Sequence, residues 1–343
     1  MSGAEQDLLT TVDRVAEAHC GKAVREAAEA GERPAALWRA LEAVGLARAA
    51  LPEAAGGAGM EYADAMLALR RAAYHALPVP LAETLIAGRL LVAAGLAVPD
   101  GPLTIAPVLV SDVLSLDSAN LVSGRAQRVP WGDQCAHLVV AAQDHVALVS
   151  GGRPVEGLEK NLSGEPRATL RFDGARPQAA APLEGARERL MLEGALARSV
   201  QMAGALERAL ELSLAYANER VQFGRPIGKF QAVQHMLAQL AAHVAASSAA
   251  ADAAVEASAA AADAFAVAVA KARVSEAAGK AAEIAHQVHG AMGFTREHAL
   301  HYSTRRLWSW RDEFGGETFW QTRLGREAAA TGGDGLWSLL TRL

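Results

Sequence analysis

The chain has 343 residues, which is long enough to bury two or three hydrophobic cores. Its formal net charge is −5 and it has no basic run, so it lacks the positive surface that nucleic-acid binding requires. Hydrophobic residues make up 51% of the chain but aromatic residues only 5%. The apolar content is therefore mainly Ala, Leu and Val, which favours a mostly α-helical protein.

The cysteines and the N-terminus indicate where the protein works. Cys20 and Cys135 lie far apart and match neither a disulfide framework nor a metal-ligand spacing, so we expect no metal site and a reducing compartment. No secretory signal is visible at the N-terminus. The longest apolar stretch, residues 249–272, carries charges too frequent for a bilayer span: Asp252, Glu256, Asp263 and Lys271. These features predict a cytoplasmic protein with no membrane span.

Residues 1–100 predict a helical domain. Apolar residues repeat at helical spacing in four stretches: 8–16, 37–44, 62–71 and 81–94. Residues 51–59 read Leu-Pro-Glu-Ala-Ala-Gly-Gly-Ala-Gly and predict a loop. No strand rich in Val and Ile precedes this glycine cluster, so it is not a dinucleotide-binding fingerprint.

Residues 101–178 predict a small β domain. Short runs rich in Val and Leu predict strands of an antiparallel sheet or barrel at 103–110, 120–125, 137–142, 145–149 and 168–172. The segment Ala142-Gln-Asp-His145 is predicted to be a hairpin turn. Residues 177–182, which begin and end with proline, are predicted to link this domain to the next.

Residues 184–343 predict a helical bundle. Leu192, Leu196 and Val200 begin a stripe that recurs every three or four residues, as in a long core-facing helix. A second helix is predicted to begin near Phe230, and a third to run from about residue 262 to His289. Long helices joined by short corners predict an antiparallel four-helix bundle.

The corner between the first two bundle helices, residues 215–235, has the strongest chemical signature. The first helix is predicted to stop near Gly224 and the next to begin near Gln231. The corner combines the guanidinium of Arg220, the amides of Gln222 and Gln231, two Phe side chains and a helix N-terminus. This set suits an anion that carries an aromatic body. We therefore predict a phosphate-bearing cofactor at this corner.

The same residues resemble a motif of the acyl-CoA dehydrogenase family. The match runs with fixed gaps through Tyr216, Glu219-Arg220, Gln222-Phe223-Gly224, Pro226-Ile227-Gly228, Phe230-Gln231 and Gln234-His235. Residues 287–294, Gln-Val-His-Gly-Ala-Met-Gly-Phe, resemble a second family segment in which Ala291 replaces a glycine, and the 51–59 loop resembles a third. The resemblance covers essentially the entire chain and implies the family's three-part fold: a helical N-terminal domain, an antiparallel β-sheet or barrel and a C-terminal four-helix bundle.

The resemblance implies FAD as the cofactor and at least a dimer. The FAD diphosphate and adenosine would be held by Arg220, Gln222, Phe223 and Gln231. Three further residues would approach from a neighbouring subunit: Gln287, Gly290 and Gly293. The middle domain departs from the family pattern, because Arg128-Val-Pro-Trp131 stands where members carry a Trp-Ile-Thr strand. Trp131 is therefore expected either beside the flavin or in the core of the sheet.

The family reaction also needs a carboxylate base, and here the sequence departs again. In most members the base is a Glu about twenty residues after the Gly-Phe pair; an ungapped count places Phe314 there and Glu313 one residue early. A minority place it on the first bundle helix, where the count gives Gly194, with Glu193 one residue early. We expect Glu193 to lie on a solvated flank and Glu313 to be either the base or the partner of Arg305, Arg306 or Arg311.

Two functions follow from the resemblance. The first is an FAD-dependent acyl-CoA dehydrogenase of lipid catabolism, which desaturates an acyl-CoA thioester between its α and β carbons and passes electrons to an electron-transfer flavoprotein. The alternative is a non-catalytic subunit of a heteromeric acyl-CoA dehydrogenase whose companion chain supplies the base. The acyl group is not readable from the sequence, because its pocket would resemble any apolar core.

Overall fold

The computed structural model of the chain describes residues 2–109, 111–150 and 155–341. The chain forms two compact units, one made of Met1–Leu69 with Leu77–Ala197 and the other of Arg70–Ala76 with Arg198–Leu343. The three domain boundaries drawn from the sequence, 1–100, 101–178 and 184–343, stay a prediction.

The helical part of the first unit begins with a well-capped helix. The helices are α1 (Gly3–His19), α2 (Lys22–Ala30), α3 (Ala35–Ala43), α4 (Tyr62–Tyr74) and α5 (Leu81–Ala93). Ser2 caps α1 because its hydroxyl accepts a hydrogen bond from the Glu5 amide, while the Glu5 carboxylate accepts one from the Ser2 amide. The last turn of α4 belongs to the second unit. The predicted helical character of this region is confirmed.

The β part of the first unit consists of two four-stranded sheets. The strands are β1 (Leu103–Ile105), β2 (Val113–Leu116), β3 (Val122–Pro130), β4 (His137–Ala142), β5 (His145–Ser150), β6 (Val155–Lys160), β7 (Pro166–Ala175) and β8 (Ala179–Pro182). One sheet has the order β1-β4-β5-β8 and the other β2-β3-β7-β6. Val110, the last residue of the first predicted strand, lies outside the described residues, and β8 lies where a linker was expected.

Both sheets contribute side chains to one hydrophobic core. Val129 of β3 and Leu170 of β7 meet Leu138 of β4 and Ala147 of β5 there, all fully buried. The predicted hairpin is present: Ala142 pairs with His145 across a two-residue turn. The sheets are mainly antiparallel as expected, but β1 pairs with β4 in parallel. The small β domain is thus confirmed, with one parallel pairing that short strands do not reveal in a sequence.

The second unit is the predicted bundle. Its elements are α6 (Ala186–Glu219, from Arg198 onward), β9 (Val221–Gln222), β10 (Arg225–Pro226), α7 (Gln231–Ala257), α8 (Ala264–His289), α9 (Leu300–Trp310) and α10 (Glu317–Leu340). Ala73 of α4, Leu206 of α6, Leu240 of α7, Ala278 of α8 and Leu307 of α9 share one buried core. Within the described ranges, no helix is long and apolar enough to cross a membrane.

Candidate cofactor site and candidate bases

The corner after α6 is a tight hairpin rather than a simple helix stop. β9 and β10 pair antiparallel, with Gln222 opposite Arg225, so Phe223 and Gly224 form the two-residue turn. Both turn residues have positive φ, +52° for Phe223 and +77° for Gly224. A two-residue hairpin turn of this kind requires positive φ at both central positions, which is unfavourable for a Phe. Strain of this kind is concentrated at binding and active sites.

The predicted cofactor residues of this corner all face outward. Arg220, Gln222 and Gln231 are exposed, and Phe223 is 92% exposed. Arg220 has no ion-pair partner within the described ranges, whereas the guanidinium of Arg225 lies 4.3 Å from the ring centre of Phe230. α7 begins at Gln231 without a side-chain cap, which leaves its first amides available to an anion. The donor set therefore fits a diphosphate with an attached aromatic group.

The segment after α8 also has the geometry of a close backbone approach. Gly290 ends α8 with φ +56° and ψ −139°, a region open to glycine alone, and a 3₁₀ turn follows over Gly290–Phe294. A Cβ placed on Gly293 would lie 3.0 Å from Cβ of His289, so a side chain at this position would require its neighbours to shift. Gln287 and Gly290 are exposed, while Gly293 is buried.

The hairpin corner and the Gly290–Phe294 turn lie at the same end of the bundle in one chain. The ring of Tyr216, near the end of α6, stacks on the imidazole of His289 with a centroid distance of 4.6 Å. The Arg220 amide donates to the Tyr216 carbonyl at 2.9 Å, and Gly290 directly follows His289. Whether Gln287, Gly290 and Gly293 serve a cofactor held mainly by a neighbouring subunit stays a prediction.

Glu313 lies in a strained turn and is held by an arginine. α9 ends at Trp310, and the following turn places Phe314 at φ +53° and 5% exposure. The Arg198 guanidinium, itself 2% exposed, donates to Oε2 of Glu313 at 2.8 Å. Arg198 also lies 5.7 Å from the ring centre of Phe314. An ion pair was one of the two expectations for Glu313, and the structure shows Arg198 on α6 as a partner.

Lys271 on α8 stabilises the same turn through hydrogen bonds to its backbone. Its ammonium is fully buried and donates to the carbonyls of Arg311 at 2.7 Å and Gly315 at 2.9 Å. Burial lowers the pKa of Lys271 to about 7, and the nearby Glu313 and Asp312 carboxylates oppose this shift. The carbonyls it binds flank Glu313 on both sides, so Lys271 fixes the backbone that carries the carboxylate.

Glu193, in the first unit, is not on a solvated flank, and that expectation is wrong. Glu193 is 7% exposed, and its Oε1 accepts hydrogen bonds from Nε of Arg89 at 3.1 Å and lies 3.0 Å from Nη2. Tyr62 donates to Oε2 at 3.3 Å, and the Arg89 guanidinium lies 3.8 Å from the Tyr62 ring centre. Burial raises the pKa of Glu193, while Arg89 and the Tyr62 hydroxyl pull it back down.

The cations that position the two carboxylates were not predicted from the sequence: Arg89 pairs with Glu193, Arg198 pairs with Glu313, and Lys271 binds the carbonyls on either side of Glu313. Arg198 and Lys271 are charged residues inside apolar helical stripes, and this interruption was a usable signal because such residues are rarely buried without a partner. Trp131 is 4% exposed, which favours the core position over one beside the flavin. Among the residues described, no group of three or more His, Cys, Asp or Glu could hold a metal ion.

Comparison with known sequences decides the family. A sequence model of the acyl-CoA dehydrogenase N-terminal domain matches residues 2–96, and one of the C-terminal domain matches residues 184–311. The chain belongs to the acyl-CoA dehydrogenase family. Membership implies an oxidoreductase of lipid catabolism that works with a flavin. The acyl-CoA dehydrogenase IpdE2 of Mycobacterium tuberculosis is 32% identical over 311 residues, which cover 88% of this chain and 90% of that protein.

Solved structures of the family share the architecture. A variant of the Tcur3481–Tcur3483 steroid ACAD superposes with a TM-score of 0.85 at 28% identity, covering 95% of this chain and 99% of that one. The ChsE4–ChsE5 complex from Mycobacterium tuberculosis gives a TM-score of 0.86 at 25% identity, covering 97% and 99%. This acyl-CoA dehydrogenase chain is therefore similar over nearly its full length to a chain of the ChsE4–ChsE5 complex.

Proposed function

We propose that this chain is a non-catalytic component of a heteromeric, FAD-dependent acyl-CoA dehydrogenase. A companion acyl-CoA dehydrogenase-like chain supplies the base that desaturates an acyl-CoA thioester, and the electrons pass to an electron-transfer flavoprotein. The observation that carries this proposal is the buried ion pair between Arg198 and Glu313. Glu313, the better of the two candidate bases, is engaged in this ion pair with Arg198.

The chemistry of the reaction explains why this pairing matters. An α-C–H of a thioester is weakly acidic, so its removal needs a carboxylate that stands free over the proton. An adjacent arginine stabilises the charged carboxylate and weakens it as a base. Glu313 is held by Arg198, and Glu193 is held by Arg89 although burial leaves its pKa raised. Phe314, which the ungapped count places at the base position, is apolar and buried. This chain's own residues thus favour a supporting role.

The exposed corner supports a role in binding FAD. Arg220 would neutralise the diphosphate, Gln222 and Gln231 would bond polar edges, and Phe223 would cover an aromatic face. Gln287 and the backbone at Gly290 would add contacts from the turn after α8. When bound, FAD accepts the hydride that leaves the β-carbon of the thioester. The residues of this chain bind and orient the adenosine half of the cofactor.

The comparisons support both the heteromeric assembly and a bulky substrate. One similar structure is a ChsE4–ChsE5 complex, and another is a Tcur3481–Tcur3483 steroid ACAD. By extension, the companion of this chain is a second acyl-CoA dehydrogenase-like polypeptide of the same genome. The acyl group is expected to be polycyclic or a side chain attached to such a ring system.

The proposal predicts that desaturation depends on the companion chain. The protein would be mixed anaerobically with acyl-CoAs of varied bulk, alone and after co-expression with the companion, and the visible flavin absorbance would be followed. We expect bleaching only in the complex. Glu313→Gln and Glu193→Gln in this chain should each leave the bleaching rate of correctly assembled complex within about threefold, since a base contributes about 10²–10⁴-fold.

Two outcomes would contradict the supporting role. Bleaching by the chain alone that is lost in Glu313→Gln would make this carboxylate the base, a reading that the strained φ of Phe314 would then explain. If the chain without its companion bleaches the flavin, and bleaching persists in Glu313→Gln but is lost in Glu193→Gln, the base lies on α6. A complex that binds no FAD would remove the cofactor claim.

The exposed corner also predicts assembly. Phe223 is 92% exposed and Val221 is 53% exposed, so a second chain that covers this hairpin would bury apolar surface. We expect light scattering to show a dimer or tetramer for the complex. Phe223→Ser should shift that equilibrium toward smaller species, and monomers for the unmodified complex at micromolar concentration would contradict the prediction.

A further inference from the structure

Tyr216 of α6, His289 of α8 and His298, just before α9, form a contiguous cluster of ring contacts, called the stack below, in which Tyr216 and His289 are nearly parallel and His298 is tilted by 60°. The His289 ring, which is 2% exposed, lies 4.6 Å from the Tyr216 ring on one side and 4.5 Å from the His298 ring on the other. Tyr216 and His298 are themselves 5.9 Å apart, edge to face. His286, one turn before His289, stacks on Phe294 at 4.5 Å. The family resemblance assigned no role to these histidines.

The stack joins the two segments that the proposed function assigns to FAD. Tyr216 accepts the backbone hydrogen bond of Arg220, so its ring is one helical turn from the hairpin corner. His289 directly precedes Gly290, and Phe294 closes the 3₁₀ turn. Moving His289 away from Tyr216 would therefore separate the Gly290–Phe294 turn from the corner. The corner and this turn together are called the cofactor cradle below.

The hydrogen bonds of the stack fit uncharged rings. Nδ1 of His298 accepts from the Leu300 amide at 3.2 Å, so a proton at that atom would break the bond. Nε2 of His286 lies 3.1 Å from the Thr304 hydroxyl, which itself donates to the Leu300 carbonyl, so Nε2 carries the hydrogen. Nδ1 of His286 is buried and has no hydrogen-bond partner among the described residues. A second proton on His286 would have no acceptor.

The charges that face the stack add to this preference. Burial lowers the pKa of His289, and His298 lowers it further, although the carbonyls of Ala285 and Leu212 oppose the shift. Burial lowers the pKa of His298 as well, assisted by His301 and Arg208 and opposed by Glu219.

Glu283 lines the same cleft as His286, one turn before His289. Burial and His289 lower the pKa of His286. Because the folded pKa values lie below the ordinary value of 6.5, the stabilising effect of the stack is present above that pH and is lost as the pH falls below it.

We propose that His289, in ring contact with both Tyr216 and His298, is a positioning residue that holds the cofactor cradle together, and that it does so only while the two imidazoles are uncharged. Charging two rings 4.5 Å apart in a buried site would force them apart. Acid would then release the Gly290–Phe294 turn from the end of α6. The role of the cradle in cofactor binding rests on the proposed function. The contact of His289 with Tyr216, which joins the two segments, lies within this chain alone.

Hydrogen–deuterium exchange of the full-length chain without cofactor tests the joint directly. At pH 7.5, His289→Ala and Tyr216→Ala should each speed exchange roughly tenfold in both peptides 220–230 and 290–296, because each variant makes the shared opening about ten times more populated. His289→Phe keeps a flat ring in the stack and should restore protection. At pH 5.5 the unmodified chain should exchange faster than His289→Phe in both peptides. The exposed His19→Phe serves as the matched control and should behave as the unmodified chain.

Two results would overturn the inference. One is faster exchange in peptide 290–296 of His289→Ala while peptide 220–230 stays protected, because the two segments would then not be joined. The other is equal acid sensitivity of His289→Phe and the unmodified chain. Failure of the complex to bind FAD would defeat the proposed function and leave both exchange results standing.

Discussion

Arg198→Met is expected to lower the free energy of unfolding by up to about 3–5 kcal/mol, because it removes the guanidinium that pairs with the mostly buried carboxylate of Glu313. Arg198 is 2% exposed and the Glu313 side chain 12% exposed, so water replaces the lost guanidinium only in part. Urea unfolding followed by helical circular dichroism would measure the change.

Two controls separate this ion pair from ordinary surface charge. Arg273→Met removes a more exposed pair with Glu276 on α8 and should cost roughly 0–1 kcal/mol. The double variant Arg198→Met/Glu313→Leu removes both charges and should cost far less than the two single changes added together. If Arg198→Met is no worse than Arg273→Met, the pair does not hold Glu313, and the argument against Glu313 as the base fails with it.

The sequence was most informative where structure is local. Helical periodicity predicted the position of α8 to within about two residues, and the dipeptide between Ala142 and His145 predicted the β4–β5 turn. The strands β2, β6 and β8 were missed. β2 and β8 have four residues each, too few to show an alternating pattern, and β6 reads Val-Glu-Gly-Leu-Glu-Lys, which is not a run of Val and Leu. The parallel pairing of β1 with β4 joins residues more than thirty positions apart, which no local pattern encodes.

The site divides in the same way. The outward-facing corner from Arg220 to Gln231 could be predicted because its residues are consecutive and act together. The partner of Glu313 could not, since Arg198 lies 115 positions earlier and meets it only when α6 packs beside the turn after α9. The ungapped count from the Gly-Phe pair placed Phe314 at the base position and Glu313 one residue before it. Only the side-chain contacts show that the Glu313 carboxylate faces a cation.

Arg220→Ala is expected to weaken FAD binding roughly 10- to 100-fold, because a charge-assisted hydrogen bond contributes about 1.5–3 kcal/mol. The guanidinium of Arg220 is exposed and has no ion-pair partner within the described ranges, so it is available to a diphosphate. The FAD affinity of Arg220→Lys should lie between those of the unmodified protein and Arg220→Ala, since an ammonium keeps the charge but lacks the planar, bidentate geometry of a guanidinium. Titration of the assembled complex with FAD, followed by flavin fluorescence, would give the dissociation constants.

Arg225→Ala is the matched control, because Arg225 lies on the same hairpin and is also exposed. Its guanidinium is engaged over the ring of Phe230, so its loss should change FAD affinity by less than about threefold. Raising the salt concentration should weaken FAD binding by the unmodified complex more than FAD binding by Arg220→Ala, since the variant has already lost the contact that salt screens. Equal losses of affinity in Arg220→Ala and Arg225→Ala would mean that the corner attracts FAD only through its overall charge. The assignment of the diphosphate to Arg220 would then be wrong.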